Sequence, residues 1–161
     1  MNYSVHRMTH GDIKQVQSVA KNSWNSTYEG IIPQEIQDSF LKTAYSDEMM
    51  LRRYQNSIVL VAKYDEKVIG FANFTKVNSD GISELAAIYL LAPYQGKGIG
   101  SSLLQEGISI LAGVKEIFIN VEKDNIVGRN FYEAKGFTTV NELDENFNGH
   151  ILKTVRMVFK V

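Results

Sequence analysis

The sequence predicts one mixed α/β domain, of the α+β kind, spanning residues 1–161, and three observations lead there. Runs of β-branched and aromatic residues alternate with stretches of helical periodicity in the order β-α-α-β-β-β-α-β-α-β-β. No Pro/Gly/Ser-rich linker, charge block or internal repeat divides the chain, whose only prolines are Pro33 and Pro93. At 161 residues and 44% hydrophobic content, a single core can form without disulfide or metal staples.

The elements follow in order. Tyr3 to Met8 reads as a first strand. Thr9-His10-Gly11-Asp12 is a capping-box pattern, so a helix should start there, with Ile13, Val16, Ala20 and Trp24 on its buried face. A second helix is expected after Pro33. Ser57–Tyr64 and Lys67–Val77 form an antiparallel hairpin about Asp65-Glu66, and Ile82–Ala92 is a further strand. Ile99, Leu103, Leu104, Ile108 and Leu111 mark a helix, followed by an alternating strand over Glu116–Glu122. Asp124 or Asn125 can cap a helix carrying Val127, Phe131 and Ala134, which Gly136 stops. Two last strands, Phe137–Leu143 and His150–Val161, complete four helices and seven strands.

Composition removes several classes of function. Seventeen basic against eighteen acidic residues leave a net charge of -1, without the basic excess that nucleic-acid binding needs. With no cysteine there is no thiol nucleophile, thiolate zinc site or iron–sulfur cluster, and His6, His10 and His150 are too scattered for a metal site. The longest apolar run, Leu85 to Ala92, is far short of the roughly 20 residues of a membrane helix, and Met1-Asn2-Tyr3-Ser4 lacks signal-peptide character, so a soluble, cytoplasmic protein is expected. The sequons at Asn25 and Asn73 then read as chance matches.

The most informative stretch is Leu91-Ala92-Pro93-Tyr94-Gln95-Gly96-Lys97-Gly98-Ile99-Gly100-Ser101, where an apolar strand breaks at proline and a glycine-rich turn opens a helix. Glycines at 96, 98 and 100 let a ligand approach bare main chain while the first helical amides present the positive end of the dipole to an anion. Lys97 would add charge at the rim. The spacing matches neither a Walker loop, which would need glycine at Leu91, nor the Rossmann fingerprint. The turn reads either as a phosphate cradle or as a plain tight strand-to-helix connection.

These residues resemble the GNAT superfamily of acetyl-coenzyme A dependent N-acetyltransferases. Gln95, Gly98 and Gly100 match its phosphate-binding signature, and Asn125, Phe131-Tyr132 and Gly136-Phe137 match its second one. Gly128 departs from the usual alanine. The element order agrees along essentially the whole chain. The resemblance implies a central, mostly antiparallel sheet splayed at the cofactor strand, with acetyl-CoA as cosubstrate and a small-molecule amine as acceptor. The pantetheine arm would pair with the backbone of Tyr89, Leu90 and Leu91. The diphosphate would sit on residues 95–101, and Asn125 would serve as helix cap, cofactor ligand or both.

By the same resemblance Tyr132 is the general acid, its O–H (reference pKa about 10) donating to a thiolate whose conjugate acid lies near ~8.5. Glu84, where several relatives carry a glutamate, is the candidate base for the amine. Plain alternation puts it on the face opposite Tyr89 unless a bulge resets the register, and a surface carboxylate is the competing reading. Trp24, Tyr28 and Glu29 suit a cationic acceptor, and Trp-x-x-x-Tyr-x-Gly looks like bacterial polyamine acetyltransferases of this superfamily. For Trp24 the alternative is core packing. Non-catalytic coenzyme A sensing and protein N-terminal acetylation are the competing functions, and a homodimer through the last strand's edge is the family analogy.

Overall fold

The computed structural model describes residues 2–161. Its elements are β1 (Ser4–Arg7), α1 (Ile13–Tyr28), α2 (Gln34–Ala44), α3 (Asp47–Asn56), β2 (Ser57–Tyr64), β3 (Lys67–Thr75), β4 (Ile82–Leu90), α4 (Ile99–Ile110), β5 (Glu116–Glu122), α5 (Ile126–Ala134), β6 (Thr138–Phe147) and β7 (His150–Lys160). The seven strands form one sheet in the order β1-β2-β3-β4-β5-β7-β6. Every neighbouring pair is antiparallel except β4 with β5, the two strands that α4 connects.

α3 is the helix that sequence reading missed. Ser46 caps it, its Oγ accepting from the Met49 amide at 3.2 Å, and Asp47 and Glu48 occupy the dipole-favoured first turn. Only Met50 is buried along its length, so no apolar periodicity announced it. At the start of α1 the expected capping box forms, with Asp12 Oδ2 accepting from the Thr9 amide at 2.9 Å and from Thr9 Oγ1 at 3.1 Å. Lys63 of β2 adds an ion pair to Asp12 at 2.6 Å, which pins the helix to the sheet.

Two apolar cores lie on opposite faces of the sheet. One joins Val16, Trp24 and Tyr28 of α1 and Leu41 of α2 to Phe71, Ala87 and Leu152. The other joins Ile99, Leu103 and Leu104 of α4 to Phe74, Leu85, Ile117, Ile119 and Met157. Side chains alternate faces along a strand, so each core uses every second residue of the same strands.

Two irregularities in β4 create the site. Against β3, Phe74 pairs with Leu85 but Asn73 pairs with Ala87, so Ala86 is the extra residue of a bulge. Against β5, pairing covers only Ile82–Glu84 with Glu116–Phe118. Beyond Glu84 the two strands separate, and residues 85–90 present an unpaired edge to the gap.

Candidate active site

The gap between β4 and β5 is a cavity of about 690 Å³. Its walls are the open edge of β4, the glycine turn with the first turn of α4, Asn120 and Val121 of β5, the inner side of α5, and Ser23, Ser26, Thr27 and Tyr28 at the end of α1.

The glycine turn is built for an anion. Gly96 and Gly98 have φ of +73° and +82°, and Gly98 is the N-cap of α4. Those angles favour glycine, and they leave the first amides of α4 without intrahelical partners. A Cβ at Gly100 would stand 3.1 Å from the Phe131 ring, so any added side chain crowds that ring where the helix meets α5. Gln95, Gly96, Gly98, Gly100 and Ser101 all line the cavity. Two neighbours do not. Ile99 is fully buried in the core below the turn, and Lys97 is exposed outside the cavity wall. Ile99 can therefore contribute only main chain, and the Lys97 side chain stands at the exposed rim between Gly96 and Gly98 rather than on the cavity wall.

The open edge of β4 is one residue out of step with expectation. The Leu91 amide donates to Ile69 O of β3 at 2.9 Å, and Leu91 O accepts from the Tyr94 amide, so both polar groups of Leu91 are already used. Antiparallel alternation then commits Tyr89, paired with Phe71, to β3 as well, and leaves Ile88 and Leu90 facing the gap. Tyr89 and Leu91 are thus corrected as backbone ligands, and Ile88, which sequence reading passed over, takes the place. Only a register count backward from a real hydrogen bond distinguishes the two. Leu90 O already accepts from Ser23 Oγ at 3.1 Å and from Gln95 Nε2 at 3.3 Å, tying α1 and the glycine turn to the edge.

Tyr28, Asn125 and Tyr132 also meet at the cavity. Asn125 caps α5, its Oδ1 accepting from the Gly128 amide at 3.0 Å, and its side chain lies beside the Tyr28 phenol. A Cβ at Gly128 would approach Asn125 Nδ2 to 2.7 Å, so alanine there would require the Asn125 side chain to shift. Burial pushes the Tyr28 phenol up to about 12, opposed by the neighbouring Asn125 amide, with the charge of Glu122 adding to the rise. Burial likewise pushes Tyr132 and Tyr89 well up, and the Tyr28 charge would raise both further. All three remain neutral O–H groups at physiological pH.

Other expectations fail on geometry. Trp24 does not line the cavity; it is 5% exposed, stacks on Phe40 with centroids 4.3 Å apart, and donates Nε1 to Tyr89 Oη at 2.8 Å. Its role is packing. Glu29, at the exposed end of α1, lies outside the cavity wall. Glu84 does share the Tyr89 face, because the bulge at Ala86 resets the alternation. Yet both of its oxygens accept from Arg156: Nη1 reaches Oε2 at 3.0 Å and Nη2 reaches Oε1. Arg156 also donates to Asn120 Oδ1 at 2.9 Å and lies 4.6 Å over the Phe118 ring. A carboxylate held through both oxygens by a guanidinium is a poor proton acceptor, and Glu84 does not line the cavity, so it is withdrawn as the base. The pair instead straps β4 to β5 and β7 where the splay begins.

Sequence reading also missed Ser23, Ser26, Thr27 and Asn120. The small polar residues beside Trp24 at helical spacing were the signal for the first three. Among the described residues no cluster of metal-ligating side chains occurs, and no helix is long and apolar enough to cross a membrane.

A sheet opened beside a parallel strand pair, with a glycine-turn anion cradle at one end, defines a cleft for an extended, phosphate-bearing acyl carrier. Comparison with known proteins agrees: residues 21–137 match the acetyltransferase (GNAT) family, and the chain belongs to it. The spermidine N(1)-acetyltransferase of Thermoplasma acidophilum is 31% identical over 145 residues, covering 85% of this chain and 89% of that protein. An uncharacterised N-acetyltransferase of Bacillus subtilis is 36% identical over 155 residues, covering 89% and 85%. The crystal structure of PaiA N-acetyltransferase from Thermoplasma acidophilum in complex with coenzyme A superposes with a TM-score of 0.86 at 28% identity, over 100% of both chains. The protein is an acetyl-CoA-dependent N-acetyltransferase with the splayed mixed sheet that its sequence predicted.

Proposed function

We propose that this enzyme acetylates a primary amine of a small cationic acceptor, polyamines first, by direct attack within a ternary complex. The observation that carries the reading is a single cleft with two walls: main chain on the β4 and glycine-turn side, and hydroxyl and amide side chains of α1 and β5 on the other. Cofactor and acceptor can thus meet without a covalent enzyme intermediate, and the chain holds no cysteine that would carry one. Similarity to the spermidine N(1)-acetyltransferase supports the acceptor class.

When bound, acetyl-CoA supplies a thioester acyl group open to attack by a neutral amine, with a thiolate as leaving group. The backbone of Ile88 and the amide of Leu90 face its pantetheine arm and acyl oxygen, while the turn amides at 96–101 hold the diphosphate. Among the described residues no group hydrogen-bonds Tyr132 Oη, which lines the cleft, free to donate to sulfur. Because burial raises its pKa far above that of a thiol, Tyr132 stabilises the departing thiolate by hydrogen bonding, and the amine supplies the net proton.

No carboxylate among the described residues lines the cleft, and the acid group this reading assigns to deprotonation of the acceptor, through water, is Glu122, whose charge acts on the Tyr28 phenol. Glu122 ends β5, is 7% exposed, and accepts from the Asp124 amide at 2.7 Å. Burial raises its carboxyl despite that bond, as suits a proton acceptor.

Thiol release from acetyl-CoA across spermidine, spermine, amino acids and peptides, with a no-acceptor control, tests the reading. Release specific to polyamines supports it, whereas coenzyme A binding without release on any acceptor points to a sensing module. Glu122→Gln should preserve the turn and abolish the acidic limb of the pH–rate profile; an unchanged limb removes Glu122.

A further inference from the structure

Coenzyme A carries three phosphates, and the glycine turn accounts for two of them. The adjoining diphosphate groups match a cradle of successive amides, whereas the 3′-phosphate stands apart on the ribose and needs its own partner. Lys135 is the only charged side chain among the described residues that line the cleft. It follows α5 as its C-cap and belongs to the ridge Val127, Phe131, Lys135, spaced four residues apart along the cleft side of that helix. Phe131 fixes the position of the ridge, because its ring comes within 3.1 Å of where a Cβ of Gly100 would stand, in the first turn of α4. The Lys135 ammonium lies 5.8 Å from the centre of that same ring. The cation therefore hangs over the entrance to the phosphate cradle, on the opposite helix.

No carboxylate among the described residues pairs with it. None of the five ion pairs among the described residues includes Lys135, whereas Lys63, Lys123 and Lys153 each have a carboxylate partner. Its stem is half-buried against the cleft wall, which reduces the entropy lost when the head group binds. Lys97, the cation that the glycine motif brings with it, stands outside the wall.

We propose that Lys135 recognises the 3′-phosphate of coenzyme A, and so separates coenzyme A from its 3′-dephospho form. The inference rests on acetyl-CoA being the cosubstrate and adds the residue that reads one phosphate of it. Lys135 plays no part in bond making, so its contribution appears in cofactor binding.

The test is calorimetric titration of the full chain with coenzyme A and with 3′-dephospho-coenzyme A, for wild type, Lys135→Gln and Lys135→Arg. Wild type should bind coenzyme A about tenfold more tightly than the dephospho form, as expected of one partly screened charge-assisted contact. Lys135→Gln should bring the ratio to about twofold or less by weakening coenzyme A alone, and Lys135→Arg should keep most of it. Raising the salt concentration should narrow the wild-type ratio in the same direction. Equal weakening of both ligands in Lys135→Gln would place the lysine on the diphosphate and overturn the proposal, as would a wild type that does not discriminate. Failure of wild type to bind either ligand would instead refute the cofactor assignment itself.

Discussion

The two walls of the cleft are built from different material. On the cofactor wall the working groups belong to the main chain: the unpaired edge of β4 and the free amides at the start of α4. On the acceptor wall they are side chains, with Ser23, Ser26, Thr27 and Tyr28 on α1, Asn120 on β5 and Asn125 before α5. A wall of backbone is specified by where side chains are missing or strands part. A wall of side chains is specified by which face of each element turns inward. The first should fail when bulk is added, and the second when a functional group is removed.

Substitutions can break this contrast, and the largest effect is expected at the junction of the walls. Tyr132→Phe removes one hydroxyl and should lower kcat by about a hundredfold or more, with coenzyme A affinity and melting temperature nearly unchanged. A fall of only a fewfold would leave Tyr132 as packing between Phe131 and Phe137. On the cofactor wall, Gly100→Val adds bulk against Phe131 and over the amides, and should weaken coenzyme A about thirtyfold by calorimetry. An unaffected affinity would mean that the amides of this turn are not the cradle.

The acceptor wall depends on the anchoring of α1, which Asp12→Asn probes. Burial alone would raise the Asp12 carboxyl, but the Lys63 ammonium and the Thr9 bonds outweigh it and hold the group below its ordinary value. The depressed folded pKa means that this stabilisation is complete above the unfolded carboxylate value, about 4, and is lost as pH falls through the folded one. Wild type should exceed Asp12→Asn by about 2 kcal/mol at neutral pH, with the gap closing in acid. The variant's KM should rise more for the acceptor than for acetyl-CoA, and equal rises would show that the two walls are not separately supported. The smallest effect is expected from Glu84→Gln, which loosens the strap to Arg156 at a cost of about 1 kcal/mol or less. Its pH–rate profile should match wild type, and a lost acidic limb would restore Glu84 as the base.

The same contrast explains which parts of the site were legible in the sequence. Gly96, Gly98 and Gly100 before an amphipathic helix could be placed correctly because glycine acts through local backbone geometry. Asn125 as a cap and the helix it starts were readable for the same local reason. Tyr89, Leu91 and Glu84 were misplaced because strand register and the bulge at Ala86 are set between strands. Trp24 and Tyr28 share one helix and touch each other at 4.5 Å between centroids, yet only Tyr28 reaches the cleft. Their spacing could not separate them, since the choice depends on where Phe40 and Phe147 close over the indole.

By itself, then, the sequence determined the order of elements apart from α3, the glycine-rich strand-turn-helix connection, the family, and the helix that carries Tyr132. Those features arise from periodicity, caps and glycine, which act within a few residues of themselves. Tertiary structure decided which edge groups of β4 stay unpaired, that Arg156 takes Glu84, and that Lys135 rather than Lys97 faces the cofactor cleft. Each of these is a competition between partners distant in the chain, and only packing in three dimensions selects the winner.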